Sequence, residues 1–286
     1  MYAIGDPGRA AREVPDGVPP RPAGESDVEL SSAALPGMVV RAASCRGLAH
    51  RAREKPRQDA FALAATEDLP GRLVAVVCDG VGEFDRSGEA ARLVSRGLAS
   101  MAADGSAWPE AFGRINEELL KEAHQMATTA IAVVVRREGA QWAGEAAWVG
   151  DSVLWHLVAG RWQLVTGTDG SDEDGYDSTS VRPLPSADGA FGWREFRLRG
   201  GMLAVMTDGV SNPLRWSDQV KESLAAWWRQ PPDPFTFAAQ VGFARRSHMD
   251  DRTVVGVWPA PGGSTADEPG DGDGSGSGEG PDGQEG

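Results

Sequence analysis

Apolar positions in this chain follow two rhythms. Short runs of three to eight residues alternate or fill with Val, Ala, Leu and Met, which is strand patterning. These runs are Met38–Ser44, Phe61–Ala65, Leu73–Cys78, Ala130–Arg136, Trp142–Val149, Val153–Val158, Arg161–Val165, Phe196–Leu198, Met202–Met206 and Thr253–Trp258. Between them the spacing changes to three and four. Ser87–Met101 places Ala90, Leu93, Val94, Leu98 and Met101 on one face, and Pro109–Met126 does the same with Phe112, Ile115, Leu119, Leu120 and Ala123. Trp216–Arg229 and Pro234–Arg246 read as two further helices, the last opened by Asp233–Pro234 as cap and first turn. Phe196–Leu198 and Met202–Met206 read as a hairpin through Arg199–Gly200–Gly201. Strands fall in adjacent runs and helices in pairs. That predicts an α+β fold with sheet packed on sheet and helices outside, and argues against a doubly wound parallel sheet.

The ends carry no such rhythm. Residues 1–36 hold six prolines and few large apolar groups, so a disordered leader is expected there. Residues 260–286 are Gly, Ser, Asp and Glu and predict a flexible acidic tail. One domain, residues 37–259, remains between them, interrupted by a polar stretch at 166–190. The chain has 286 residues and a net charge of −14, of which seven acidic residues lie in 262–286. An acidic chain does not bind nucleic acid through a basic face, so that class is excluded. No run of about 18 apolar residues is present, so no membrane span is expected. Two cysteines, Cys45 and Cys78, give no disulfide framework and no zinc pair, and suggest a cytoplasmic setting. The many tryptophans, among them Trp142, Trp148, Trp155, Trp162, Trp227 and Trp228, fit packing between layers.

Four aspartates share one placement. Asp79 (VAVVCDG), Asp151 (AAWVGDS) and Asp208 (LAVMTDG) follow apolar strands, and Asp250 (DDRTVVGV) precedes one. If neighbouring strands are antiparallel, these ends converge. Carboxylates crowded together call for a hard divalent cation or for raised pKa values. Oxygen-only ligands favour magnesium or manganese over zinc. Asp-Gly after a strand is equally a turn signal, and the residue pattern alone leaves both readings open.

Six segments in order resemble the metal-dependent protein phosphatases of type 2C across residues 38–258: RQDAF (Arg57–Phe61), VCDGVGE (Val77–Glu83), TTAIAVVV (Thr128–Val135), VGDS (Val149–Ser152), TDGV (Thr207–Val210) and DDRTVV (Asp250–Val255). The resemblance implies an α-β-β-α four-layer sandwich, two antiparallel sheets flanked by helix pairs. It also implies hydrolysis of phosphoserine or phosphothreonine in a phosphoprotein substrate. Two Mn2+ or Mg2+ ions sharing a hydroxide would do this, with a third, weaker ion in bacterial relatives. Asp79 then resembles the carboxylate shared by both metals and Gly80 the carbonyl ligand. Asp208 and Asp250 complete the set. Asp59 resembles the acid that binds metal-held water, and Asp151 the ligand of the third ion. Asp251 stands where relatives often have Asn, and is expected to reach the metal's water shell.

The resemblance also implies an arginine upstream of Asp59 for phosphate. His50, Arg51, Arg53, Lys55 and Arg57 all qualify, and motif position favours Arg57 and His50. His50 is in addition a candidate general acid. Three departures from the family pattern, Gln58, Glu83 and Val153, support an alternative: a phosphatase-like module that binds a partner without turnover.

Overall fold

The computed structural model describes residues 2–9, 11, 26–66, 71–81, 84, 86–122, 125–166 and 182–260. Eleven strands among these residues form two sheets in which every pairing between strands is antiparallel. The six-stranded sheet has the order β1 (Val28–Leu35), β2 (Met38–Cys45), β11 (Arg252–Pro259), β10 (Met202–Met206), β7 (Val153–Val158) and β8 (Arg161–Leu164). The five-stranded sheet has the order β3 (Ala60–Ala65), β4 (Arg72–Cys78), β5 (Ala130–Glu138), β6 (Gln141–Val149) and β9 (Gly192–Arg199).

Side-chain alternation divides each central strand between two cores. In β4, Leu73, Ala75 and Val77 face the other sheet, together with Val40, Val133, Val205 and Val255. Val74, Val76 and Cys78 face away, toward α2 (Ser87–Ala103) and α3 (Trp108–Leu120), where Val94, Leu98, Phe112 and Ile115 close the layer. A strand buried on both faces has no polar position to spare, which is why LVAVVC reads as a continuous apolar run. On the far side, α4 (Asp208–Trp216), α5 (Asp218–Trp227) and α6 (Pro234–Val241) cover the six-stranded sheet. There Trp162, Trp228, Phe237 and Trp258 meet edge-on or tilted, with centroids 5.3 to 6.1 Å apart. The result is the expected α-β-β-α sandwich, with the tryptophans as interlayer packing. Among the described residues no helix is long and apolar enough to cross a membrane.

Several elements differ from expectation. The leader is structured at both of its described ends. Val28–Leu35 pairs with Met38–Cys45 along its full length, as an edge strand. Ala3 bridges Ala244, and Ile4 is 2% exposed. The strand was hidden because VELSSAAL is half serine and alanine and reads as weakly apolar. Residues 12–25 and 261–286 lie outside the described residues. The hairpin at 199–201 is not one: β9 pairs with β6, and β10 pairs with β7 and β11 in the opposite sheet. β9 carries Arg194, Glu195 and Arg197, which suit an edge, whereas all five residues of β10 are buried and need neighbours on both sides. Gly201 makes the crossing, at φ +65, where an added Cβ would meet the Leu157 carbonyl oxygen at 2.2 Å. The expected helix 216–229 is the shorter α5, Asp218–Trp227, capped by Ser217 through Val220 N, and Trp216 instead ends α4, an additional helix over Asp208–Trp216. Leu48–Ala52 forms a short helix, α1, that the spacing does not announce.

Candidate active site

β4 and β6 run in the same direction in one sheet, so the residues following them, Asp79 and Gly150–Asp151, emerge at one edge. In the other sheet β10 ends where β11 begins, with Met206 opposite Val254, so Thr207–Asp208 and Asp250–Asp251 emerge at one edge too. The two edges face one cavity of about 590 Å3, lined by Asp79, Gly80, Asp151, Asp208 and Asp250, with His50, Arg53 and Lys55 at one side and His248 and Met249 at another. The strand-end aspartates converge as their placement suggests.

Their electrostatics are those of like charges held together. Burial, and then Asp59 and Asp208, push the Asp79 carboxyl well above the usual carboxylate range. Burial, and then Asp151 and Asp250, raise Asp208 to about 6. Burial also raises Asp151, with Asp250 adding to it and Arg215 opposing. Asp208 Oδ2 accepts a hydrogen bond from Asn212 at 3.0 Å, whereas the buried Oδ1 has no partner. Gln58 Oε1, on a residue 4% exposed and lining the same cavity, also has none. Orphaned buried oxygens among carboxylates fit a hard divalent cation. Among the described residues no three His, Cys, Asp or Glu side chains are already gathered as a finished ligand set. The carboxylates ring an open cavity instead.

Threonines fix the edge. Thr129 N and Thr128 Oγ1 donate to the Asp79 carbonyl at 2.8 and 2.9 Å, and Thr129 Oγ1 accepts from Asp79 N. Thr129 Oγ1 in turn lies 2.9 Å from Ser152 Oγ, joining the Asp79 and Asp151 turns. Asp59, 2% exposed, accepts from Thr207 Oγ1 at 2.9 Å and Thr253 Oγ1 at 2.8 Å. Burial, then Asp251, hold its carboxyl well above the usual range. Asp59 therefore sits behind the cavity and ties β10 to β11 from β3, rather than lining the space where water would be held. The sequence signal for these threonines was present in TTA, TDG and DDRT. The aspartates beside them dominate the pattern, since a threonine in a strand is common.

Two expectations for the basic segment separate here. His50 lines the cavity; Arg57 does not. Arg57 is 3% exposed, and its guanidinium donates to Glu29 Oε2 at 2.6 Å and to the Asp59 carbonyl at 3.1 Å. The structured β1 supplies that carboxylate and draws the arginine away from the phosphate role. Arg53 and Lys55 line the cavity beside His50. Asp251 also turns inward. Its two oxygens accept from Gly47 N and Gln58 N, both at 2.6 Å. Glu83 lies outside the described residues, and Val153 is a core residue of β7. Gly209 is required by space: an added Cβ would stand 1.9 Å from the Asp251 carbonyl oxygen.

A model of protein phosphatase 2C matches residues 46–240. The chain belongs to the protein phosphatase 2C family. Its activity is accordingly that of a metal-dependent serine/threonine protein phosphatase. Solved structures share the fold at low identity. PppA, described as a key regulatory component of T6SS in Pseudomonas aeruginosa, is 19% identical with a TM-score of 0.59, covering 80% of this chain and 100% of its own. The S. agalactiae serine/threonine phosphatase is 18% identical with a TM-score of 0.58, covering 82% and 100%. RsbX in complex with magnesium is 13% identical with a TM-score of 0.53, covering 81% and 100%. No curated protein sequence matches the chain. The protein phosphatase 2C match and the cavity coincide: Asp79, Asp151 and Asp208 all lie within the matched residues.

Proposed function

We propose that Asp79, Asp208 and Asp250, with the Gly80 carbonyl, hold two Mn2+ or Mg2+ ions, that Asp151 serves a third, and that the substrate is a phosphoserine or phosphothreonine of a protein. The observation that carries this reading is the partnerless buried Oδ1 of Asp208 in a cavity ringed by Asp79, Asp151, Asp208 and Asp250. Bound cations would supply Lewis-acid activation of water and neutralise charge on the phosphoryl group.

The chain's own groups do the rest. Thr128 and Thr129 hold the Asp79 turn rigid. Asn212 orients Asp208 by donating to one of its oxygens, leaving the other turned to the cavity. Arg53, Lys55 and His50 supply positive charge or N–H donors on the side from which a phosphate enters. His50, which lines the cavity, is also the candidate general acid for the departing seryl or threonyl oxygen. Gln58, with its unpartnered Oε1, offers a neutral ligand where animal relatives carry a glutamate, which favours weaker holding of the second ion. Two free, buried thiols, Cys45 and Cys78, support a cytoplasmic setting.

The test is hydrolysis of a phosphothreonine peptide by purified protein with Mn2+, then with EDTA, beside Asp79→Asn. Turnover lost with EDTA and in the variant is the expected result. A folded protein without turnover in any divalent metal would instead favour a phosphatase-like module that binds a partner.

A further inference from the structure

The chain between α6 and β11 carries four cavity residues, Ser247, His248, Met249 and Asp250, on a segment without helix or strand of its own. It reverses at a turn in which Arg245 bridges His248 and Ser247 stands at φ +67, a left-handed conformation uncommon for a residue with a side chain. Such a turn persists only where its surroundings fix it. Its inner side is fixed locally: Arg252 donates to the His248 carbonyl, and Ala49 N to the Met249 carbonyl at 2.8 Å.

The outer side is fixed by the other end of the chain. Ile4 N donates to the Ala244 carbonyl at 3.1 Å, and Ala244 N donates to the Tyr2 carbonyl at 2.9 Å. Arg246 N donates to the Asp6 carbonyl at 2.8 Å, and Arg245 Nη1 to the Ile4 carbonyl at 3.2 Å. Two side chains anchor this strap. Ile4 is buried in the apolar layer that contains Val241 and Phe243, and the Tyr2 ring meets Trp227 edge-on at 5.1 Å. Gly5 bends between them at φ +70.

We infer that residues 2–6 are a positioning element for the metal site: docked, they hold the 244–248 turn so that Asp250 is presented to the cavity. The inference rests on the reading of Asp250 as a metal ligand. The strap does not line the cavity, so it acts through the turn. Ile4, the Tyr2 ring and a few backbone bonds hold it, few enough contacts to release while both sheets stay folded.

The experiment uses the full chain and two variants. Ile4→Ser removes the apolar anchor. Gly5→Val keeps that anchor but cannot adopt the bend, and its Cβ would meet Gln219 Oε1 at 2.7 Å. Amide exchange at residues 247–251 and Mn2+ binding by calorimetry are read without substrate. Both variants are expected to exchange faster at 247–251 and to bind Mn2+ about ten-fold more weakly. Turnover of p-nitrophenyl phosphate at saturating Mn2+ should stay within about two-fold. Ile4→Val should restore wild-type behaviour. Faster exchange confined to residues 2–6 and 244–246, with unchanged Mn2+ binding, would overturn the inference and leave the strap as packing. Faster exchange throughout both sheets would overturn it too. If the wild-type chain binds no Mn2+, the metal reading fails by itself, and exchange at 247–251 still decides whether the strap holds the turn.

Discussion

His50 Nδ1 stands 2.9 Å from Asp251 Oδ1. The histidine is on the short helix α1 and the carboxylate precedes β11, so the contact joins the basic rim of the cavity to the strand that begins with the last acidic motif. Asp251 does more than face His50. It gathers the backbone N–H groups of Gly47 and Gln58, and Asp59 N lies 3.4 Å from the same carboxylate. It is a buried carboxylate satisfied by main-chain donors, whose partners would be left unpaired if its oxygens were lost.

Asp251→Asn should therefore act on stability first. The amide keeps the shape but turns an N–H2 toward donors, leaving at least one unsatisfied, at a cost of about 1–3 kcal/mol. Urea unfolding measures it. Unchanged stability with weakened Mn2+ binding would return Asp251 to the water-shell role that the sequence suggested.

The crowded carboxylates give the metal-free protein a pH dependence of definite sign. Asp208 is raised from 3.8 to about 6 in the folded state. Between those values the folded chain binds more protons than the unfolded one, so stability falls as pH rises through this window. In EDTA the melting temperature should drop from about pH 4 to about pH 6 and then level off, so far as Asp208 governs it. Saturating Mn2+ should reverse the trend, because the metal takes the deprotonated form. Asp208→Asn should flatten the EDTA profile while abolishing turnover. A melting temperature in EDTA that rises across the window would contradict the raised pKa.

The basic segment separates into two functions that kinetics can tell apart. Arg57→Ala removes a buried guanidinium from the half-exposed Glu29 and from the buried Asp59 carbonyl, and should destabilise the fold by about 1–3 kcal/mol, the cost of leaving a buried acceptor unpaired. Arg53→Ala should leave stability within about 0.5 kcal/mol, as surface substitutions do. It should raise KM for a phosphopeptide or lower kcat/KM by roughly ten-fold, the loss of one charged hydrogen bond of about 1.4 kcal/mol. The reverse pattern, a stable Arg57→Ala with impaired phosphate binding, would restore the motif-based assignment.

Most of the central sheet was legible because doubly buried strands such as Arg72–Cys78 and Met202–Met206 leave no ambiguity of face. The edges were not. Val28–Leu35 lies at a sheet edge, where alternation with small polar residues is weak, and its Glu29 is what takes Arg57 out of the cavity. The hairpin error came from the same source, since proximity in sequence favoured pairing β9 with β10 while burial favoured separate sheets. The strand-end aspartates were legible as a constellation. All four line the cavity; that Asp59 and Asp251 turn away from it was not legible, because each precedes a strand as Asp250 does. Burial among threonines and backbone donors separates them, and that depends on contacts between residues 148 to 204 positions apart.

Gly209 offers a prediction that separates the turn reading from the packing reading of Asp-Gly. If Gly209 served only a turn, alanine would be tolerated at modest cost. Its φ does not lie in the left-handed region, and it is a residue of α4, where alanine is intrinsically the better helix former by about 1 kcal/mol. Propensity alone therefore predicts that Gly209→Ala stabilises the protein. Space predicts the opposite. The added methyl would stand 1.9 Å from the Asp251 carbonyl oxygen and 3.4 Å from Arg252 Cγ, so the start of α4 and the start of β11 must move apart. Those are the segments that carry Asp208 and Asp250. Gly209→Ala should lower the unfolding free energy by about 1–3 kcal/mol, as overpacking of a close contact does. It should also lower kcat/KM by two orders of magnitude or so, since misplacement by about 1 Å has that effect on a positioned site. A stabilised variant with wild-type turnover would mean that the two segments do not approach as closely as this, and that the glycine serves the turn alone.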